Sequence, residues 1–372
     1  MTSKKLMSSI ESRGVHHIDG TYRITIYGFP LVVYGVSDQS GRFHPVAYMI
    51  TSHETQEDFE TFYDGLIKLT DIMDLSYMPE FIMQDACSAS RSAALVFFPN
   101  TTFLMCYFHL KKNIKDNCKS LLEKEHYKEL QIDIKKIHMS HNKDNYENNK
   151  KEFRKKWRKL NVDVYDYCST WFEGDWCTWQ IFRNKPGQAN TNSNIESFNN
   201  TIKLDLSRKR LPMKAAINAI FEQIVYYSTE YEPFATIPKY NHQTRELADC
   251  LIKSNFRVIR PNKKIGYTGS FRGKESKYTL TLNDDNFVNR CNCTCKYFLK
   301  HAICMHLVAF SNFNNLELFG SKYAKPIPIK NFVTKNKRGP KTGNQKYGKA
   351  LDKPVEEKIK TKAIKSTQNK KK

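Results

Sequence analysis

The sequence predicts an α/β fold: a mixed sheet with helices on both faces, a helical insertion, a small cysteine-rich module and a disordered basic tail. Three observations predict it. Between about Val15 and Phe108, strand-like runs rich in Val, Ile, Tyr, Phe and Thr alternate with helix-like stripes. From Leu110 to about Asp166 the pattern turns helical and heavily charged, with Lys and Glu three or four apart. Four of the ten cysteines crowd between Cys291 and Cys304.

The elements follow in order. His17 to Thr25, Phe29 to Val36 and Phe43 to Thr51 read as three strands in meander order, separated by the turn formers Tyr-Gly-Phe-Pro and Ser-Asp-Gln-Ser-Gly. Thr55 can cap a helix with Asp58 three residues on, and Phe59, Phe62, Leu66 and Leu69 form its apolar stripe. Pro79 ends the linker. Glu80 to Gln84 then reads as a buried strand, Ser88 to Val96 as a short helix and Thr102 to Phe108 as a further strand. Three antiparallel strands feeding alternating helices and parallel strands make an α/β layer. The helical insertion contains Trp157. After the polar loop Asn190 to Asn194, helical spacing returns at Ile195, Phe198 and Ile202 and again from Met213 to Tyr227. Gly266 to Leu282 alternates like a hairpin. Beyond Val333, Lys, Gly, Pro and Asn dominate and a disordered tail is expected.

A chain of 372 residues that is 40% hydrophobic and 13% aromatic can bury a sizeable core. No apolar run is long enough to span a bilayer, and Met-Thr-Ser-Lys-Lys-Leu-Met lacks a secretory signal's apolar region. No membrane partner is expected, and the chain should stay in the cytosol or nucleus. The net charge of +22 argues for a polyanionic partner, because cations that neutralise phosphates release condensed counterions. Half of that excess lies between Lys335 and Lys372, where 14 basic residues face three acidic ones.

In a reducing compartment, clustered cysteines point to metal ligation rather than to disulfides. Cys293-Thr-Cys295 is followed after eight residues by Cys304-Met-His306, a C-x-C and a C-x-H. Zinc takes four such ligands as a tetrahedron, and a period-two strand would put both C-x-C sulfurs on one face. Cys304 and His306 would complete the shell at the start of a helix continued by Leu307, Val308, Ala309 and Phe310, with Phe298 beneath the metal. Cys291 with Cys293 offers the same C-x-C spacing, and buried free thiols are the alternative. His301 is a spare imidazole. So small a module cannot bury enough apolar area alone, so metal binding, on the order of 10 kcal/mol, would be its folding energy.

Three acids stand where strand ends and a helix start can converge. Asp19 closes in on the end of the first strand, Asp85 ends the buried strand Phe-Ile-Met-Gln, and Glu196 opens a helix in Asn-Ser-Asn-Ile-Glu196-Ser-Phe-Asn. Convergent carboxylates can hold two Mg²⁺ or Mn²⁺ ions about 4 Å apart for in-line phosphoryl transfer. Singly, each has an ordinary role: Asp19-Gly a turn, Asp85 a helix cap, Glu196 an acid matching the helix dipole. Trp171, Trp176 and Trp179 precede Glu196; core packing outweighs base stacking for such residues.

The stretch from Asp19-Gly-Thr through Gly-Phe-Pro-Leu-Val-Val-Tyr-Gly-Val-Ser-Asp, Phe-His-Pro-Val-Ala-Tyr-Met-Ile-Thr-Ser-His-Glu54, Asp85 and Cys106-Tyr-Phe-His109 resembles the Mutator-like (MULE) transposase core. The likeness covers residues 16 to about 115, and Glu196-Ser-Phe-Asn resembles that family's later acidic helix. The resemblance implies a ribonuclease H-like fold and a DDE triad, carried onto Asp19, Asp85 and Glu196, with Mg²⁺ or Mn²⁺ as catalytic ions. Its C-x-x-H element falls on Cys106 and His109, taken as active-site supports. The cysteine cluster resembles the SWIM zinc finger, which implies Cys293, Cys295, Cys304 and His306 as ligands of a structural Zn²⁺, because Phe298 then falls in that family's usual place. The resemblances divide the chain into a core at 15–115, an insertion at 116–189, C-terminal core helices at 190–250, a finger at 278–314 and a tail at 334–372.

The function expected is zinc binding in a transposase-derived nuclear protein whose active core would cleave and transfer DNA strands. The alternative is a domesticated, non-catalytic nuclear factor that binds DNA or regulates transcription. Only 18 residues precede Asp19, so the family's N-terminal DNA-binding module is expected to be absent. Lys337-Arg338-Gly339-Pro340-Lys341 resembles an AT-hook core without its second arginine, and reads as a non-specific phosphate binder. A homo-oligomer and a protein partner for the finger are both compatible with the sequence.

Overall fold

The computed structural model describes residues 1–230, 232–236, 238, 241–253, 259–262, 265–268, 278–281 and 292–313. All of these lie in the first of two compact units, 1–325; the expected basic tail, AT-hook-like segment and Cys291 fall outside the described residues.

A short helix α1 (Lys4–Met7) precedes the strands β1 (Val15–Thr21), β2 (Leu31–Ser37) and β3 (Phe43–Ile50). Then come α2 (Gln56–Ile72), β4 (Phe81–Gln84), α3 (Ser88–Phe97), β5 (Thr102–Met105) and α4 (Tyr107–Cys118). The five strands form one sheet in the order β3-β2-β1-β4-β5, with β1 antiparallel to β2, β2 antiparallel to β3, and β1, β4 and β5 mutually parallel. This is the ribonuclease H-like arrangement.

Strand β2 is buried throughout, which requires cover on both faces. Its alternation divides the core. Val32, Tyr34 and Val36 face α2 and α3, packing with Phe59, Phe62, Tyr63 and Leu66. Leu31 and Val33 face the opposite way, toward Ile195, Phe198, Ile202, Ile220 and Ile224 of two later helices. Thr55 caps α2 as expected, with Asp58 closing the capping box. A bulge lies between Tyr34 and Gly35, where a Cβ would stand 2.4 Å from the His44 carbonyl oxygen.

Two strand expectations are corrected. The first strand stops at Thr21 rather than Thr25, because Arg23 takes a left-handed φ of 67°. The fifth stops at Met105 rather than Phe108, since Cys106 caps a helix that Tyr107 begins. The aromatic pair Tyr107-Phe108 looks strand-like in sequence, yet Tyr107 packs outward against the insertion, its ring 3.6 Å from that of His138.

The insertion consists of α5 (Lys124–His138), α6 (Lys143–Leu160) and α7 (Val162–Ser169). Its core is Leu130, Ile134, Phe153, Trp157, Phe172 and Trp179, against which Trp171 and Trp176 pack, so the tryptophans serve the core. Trp157 also donates from Nε1 to Asp133 Oδ2 at 2.9 Å. Truncating it to alanine would cost about 3–5 kcal/mol. The chain returns through α8 (Ser193–Asp205) and α9 (Met213–Thr229), so the polar loop yields to helix at Ser193. Helix α10 (His242–Lys253) and the strands β6 (Ile259–Asn262), β7 (Ile265–Thr268), β8 (Tyr278–Thr281) and β9 (Asn292–Cys293) follow. β7 and β8 pair antiparallel, as the hairpin pattern implies, within a four-stranded sheet ordered β6-β7-β8-β9. Helices α11 (Lys296–His301) and α12 (Met305–Phe313) close the described chain. Among the described residues no helix is long and apolar enough to cross a membrane.

Two buried histidines make the fold sensitive to acid. His16 bonds through Nδ1 to the Tyr34 hydroxyl at 2.8 Å, and His138 through Nδ1 to the Trp179 carbonyl at 2.6 Å. Burial lowers His16 to about 3 and His138 to about 4, from an ordinary value of 6.5. Between those limits the unfolded chain binds more protons than the folded one, so stability present above pH 6.5 is lost as pH falls. Thermal unfolding followed by circular dichroism should show the midpoint falling between pH 6.5 and about 4, with a shallower slope in His138→Gln. A slope identical in the variant refutes the assignment.

Candidate functional site

The first cluster is built by strand register. β1 and β4 run parallel with His17 opposite Met83, so Asp19 and Asp85, each two residues on, finish level at the carboxyl ends of neighbouring strands. That edge is where open α/β sheets place their ligands. Alternation from Phe81 and Met83 puts Asp85 on the face that α8 covers, and alternation from His17 does the same for Asp19.

Helix α8 supplies the lid of this edge. Glu196 stands in its first turn, and Asn199 and Lys203 follow at three and seven residues, on one side of the helix. Asn199 Nδ2 donates to Asp19 Oδ2 at 2.7 Å. Burial, then the charges of Asp85 and Glu196, raise Asp19 to about 8, with Asn199 opposing and Glu54 adding to the rise. Burial first, and the charge of Asp85, raise Glu196, while His109 and Lys112 oppose. Like charges held this close and this dry favour a proton or a cation among them.

His109, in the first turn of α4, joins the acids. Ligand atoms of Asp19, Asp85 and His109 lie within 4.8 Å of one another, and so do those of Cys106, His109 and Glu196. His109 Nε2 is 3.5 Å from Glu196 Oε1. Among the described residues, neither Glu196 Oε1 nor His109 Nδ1 has a hydrogen-bond partner although both atoms are buried. Orphaned polar atoms among carboxylates fit a hard divalent cation, so the donor set suits Mg²⁺ or Mn²⁺.

Cys106 works from below. Its Sγ accepts from the Asn192 backbone N–H at 3.1 Å, Asn192 Oδ1 meets His17 Nδ1 at 2.9 Å, and His17 Nε2 meets Ser37 Oγ at 2.7 Å. This chain of contacts ties β2, β1 and the start of α4 to the residue preceding α8. Burial pushes the Cys106 thiol up to about 11, so it stays protonated near neutral pH and suits a supporting role.

Sequence reasoning missed Glu54, Asn199, Lys203, Asn192 and His17. Glu54 leans over Gly20, where a Cβ would come 2.0 Å from Glu54 Oε1, and it accepts from the Tyr22 hydroxyl. The signal for Asn199 and Lys203 was present in their helical spacing from Glu196. Nothing local marks His17 or Asn192, whose pairing spans 175 residues.

The second cluster gathers Cys293, Cys295, Cys304 and His306, all buried, with ligand atoms within 4.8 Å of one another. Cys293 Sγ stands 3.8 Å from His306 Nδ1. Cys295 does not continue the strand as a period-two pair would; it caps α11 and its Sγ accepts from Phe298 N–H at 3.3 Å. Phe298 packs with the three cysteines, Leu307 and Phe310. Hydrogen bonds from Cys293 and Cys304 hold the Cys295 thiol below its ordinary value. Such a Cys₃His set fits zinc. His301 lies outside it, its ring 4.3 Å from that of Tyr297.

Two comparisons with known proteins give matches. A family model described as the MULE transposase domain matches residues 15–113. A stretch of the PKS-NRPS hybrid synthetase cheA of Chaetomium globosum is 28% identical over 116 residues, 30% of this chain. That alignment covers 2% of the fungal protein's length.

Metal analysis of purified chain should give one zinc, with loss in a Cys304→Ser/His306→Ala variant and a fall in thermal stability on chelation. Zinc-free protein of undiminished stability refutes the assignment.

Proposed function

We propose that this chain is a transposase-derived nuclear protein whose core cuts or joins DNA strands, with a SWIM-type zinc finger as a separate structural module. The observation that carries it is the meeting of Asp19 and Asp85 on His109, with Glu196 on the same imidazole and the buried His109 Nδ1 without a hydrogen bond among the described residues. The match of residues 15–113 to the MULE transposase domain supports it, as does the net charge of +22. The order Cys293, Cys295, Cys304, His306 supports the SWIM assignment.

Asp19, Asp85 and Glu196 would hold two Mg²⁺ or Mn²⁺ ions. Bound there, the ions would supply Lewis acidity and lower the pKa of a nucleophilic water or 3′-hydroxyl. The chain's own groups do the rest. Asn199 fixes the rotamer of Asp19 through its 2.7 Å bond. His109 stands where it can accept or return a proton beside Glu196. Helices α8 and α4 exclude water from one side of the acids, and Lys203 offsets part of their charge.

A second reading is a non-catalytic DNA-binding or transcription-regulating factor. The concentration of half the net charge at 335–372, apart from the core, favours it, because that segment can hold phosphates without chemistry. Nicking of supercoiled plasmid separates the two. With Mn²⁺ the chain should nick, and Asp85→Ala or Glu196→Gln should slow it by about a hundredfold or more. Tight DNA binding without nicking supports the second reading; nicking unchanged in Asp85→Ala sinks the triad.

A further inference from the structure

Two loops leave the elements that carry the acids. Residues 22–27 follow β1, beginning three positions after Asp19, and residues 206–210 follow α8 just beyond Lys203. They are stitched together. Leu211 N–H donates to the Ile24 carbonyl at 2.9 Å, Ile26 N–H donates to the Leu211 carbonyl at 3.0 Å, and Thr25 bridges Leu211 in parallel.

The backbone here is held in an unfavourable conformation. Arg23, Ser207 and Arg208 take left-handed φ of 67°, 51° and 57°. Each non-glycine residue so placed is held against a steric clash of its Cβ with the backbone. Glycine would remove that clash, and the chain does use one just after the first loop, Gly28 at φ 80°. Retaining arginine at two of the three strained positions points to a use for the side chains.

The side chains share one character. Arg23, Arg208, Lys209 and Arg210 are exposed, and Lys203 is half-buried. Lys203 lies within electrostatic reach of Asp19, Arg23 and Arg208 together. Among the described residues, none of these five cations makes an ion pair. Between them stand exposed apolar surfaces, Tyr22 at 51%, Ile26 at 51% and Tyr27 at 61%. Tyr22 is anchored at the site itself by its bond to Glu54. Unpaired cations attract phosphates, and exposed rings beside them offer faces to bases that are not already stacked in a duplex.

We infer that the stitched loops 22–27 and 206–210 form a rim that grips an unpaired DNA strand at the carboxylate site. Arg23, Lys203 and Arg208 bind phosphates flanking the reacting one, and Tyr22 and Tyr27 stack its bases. This rests on the phosphoryl-transfer reading and deepens it, by naming a locally unpaired strand as substrate.

The test uses the full chain and oligonucleotides carrying 5-iodouracil, either single-stranded or in duplex. Photocrosslinked peptides mapped by mass spectrometry should include 22–27, with several-fold greater yield from the single strand. An Arg23→Gly/Arg208→Gly variant should keep or raise its thermal stability, since glycine takes these φ values freely. Its plot of log affinity against log salt for a single strand should be shallower by roughly 1.4, as expected when two phosphates are no longer neutralised. Crosslinks confined to 335–372, equal yields from both oligonucleotides, or an unchanged salt slope each overturn the rim. Neither readout requires turnover. Protein that crosslinks through the rim but never nicks defeats the phosphoryl-transfer reading and leaves the rim standing, whereas nicking protein that crosslinks elsewhere defeats the rim alone.

Discussion

Mutual repulsion of the carboxylates around Asp19 is the constraint on which the rest of the core depends. Burial first, then the charges of Asp85, Glu196 and Glu54, raise its proton affinity, and the Asn199 hydrogen bond opposes them. A fold governed by stability alone would disperse such charges. Instead the register of β1 and β4 aligns two of them, and α8 brings in the third. The arrangement persists because hydrophobic burial on both faces of β2 fixes the strands and Ile195, Phe198 and Ile202 fix the helix. The core's apolar interactions thus hold together a cluster that electrostatics would separate.

The Cys₃His module is not an isolated appendage. Helix α12 and the preceding turn pack on α10, with Ile303, Val308 and Ala309 against Ala248 and Leu251. Gly187 N–H donates to the Leu299 carbonyl of α11 at 3.2 Å, and a Cβ at Gly187 would stand 2.5 Å from that of Ala302. The segment so held runs on to Asn192, which contacts both Cys106 and His17, and then to Glu196. Order in the module is therefore mechanically continuous with the placement of the α8 acid, although the two clusters share no ligand.

What the sequence disclosed follows from the range of the interactions. The Cys₃His ligands all fall between Cys293 and His306, and one strand end, one turn and one helix start bring them together; local spacing sufficed to find them. The acids were legible because each ends or begins an element, where side chains of parallel strands and an overlying helix converge. Element ends were less legible. Tyr107 and Phe108 have strand-like composition, but the cap at Cys106 and a stacking partner in His138, 31 positions on, decide for helix. Arg23 ends β1 through a backbone angle for which the residue type gives no warning. Glu54, His17 and Asn192 act through contacts that only the closed sheet creates.

The two clusters differ in chemistry as well as place, and this difference sorts the metals each would take. Three sulfurs and an imidazole nitrogen form a soft set that selects zinc over magnesium. Carboxylate oxygens around Asp19 and Asp85 form a hard set that suits magnesium or manganese. His109 and Cys106 lie where that distinction is weakest, since with Glu196 they offer nitrogen, sulfur and oxygen within 4.8 Å. Burial raises the Cys106 thiol to about 11, which disfavours the thiolate that ligation needs. Its Sγ accepts a backbone hydrogen bond from Asn192, which suits Cys106 to supporting the sheet edge, while the carboxylates there offer the harder donors.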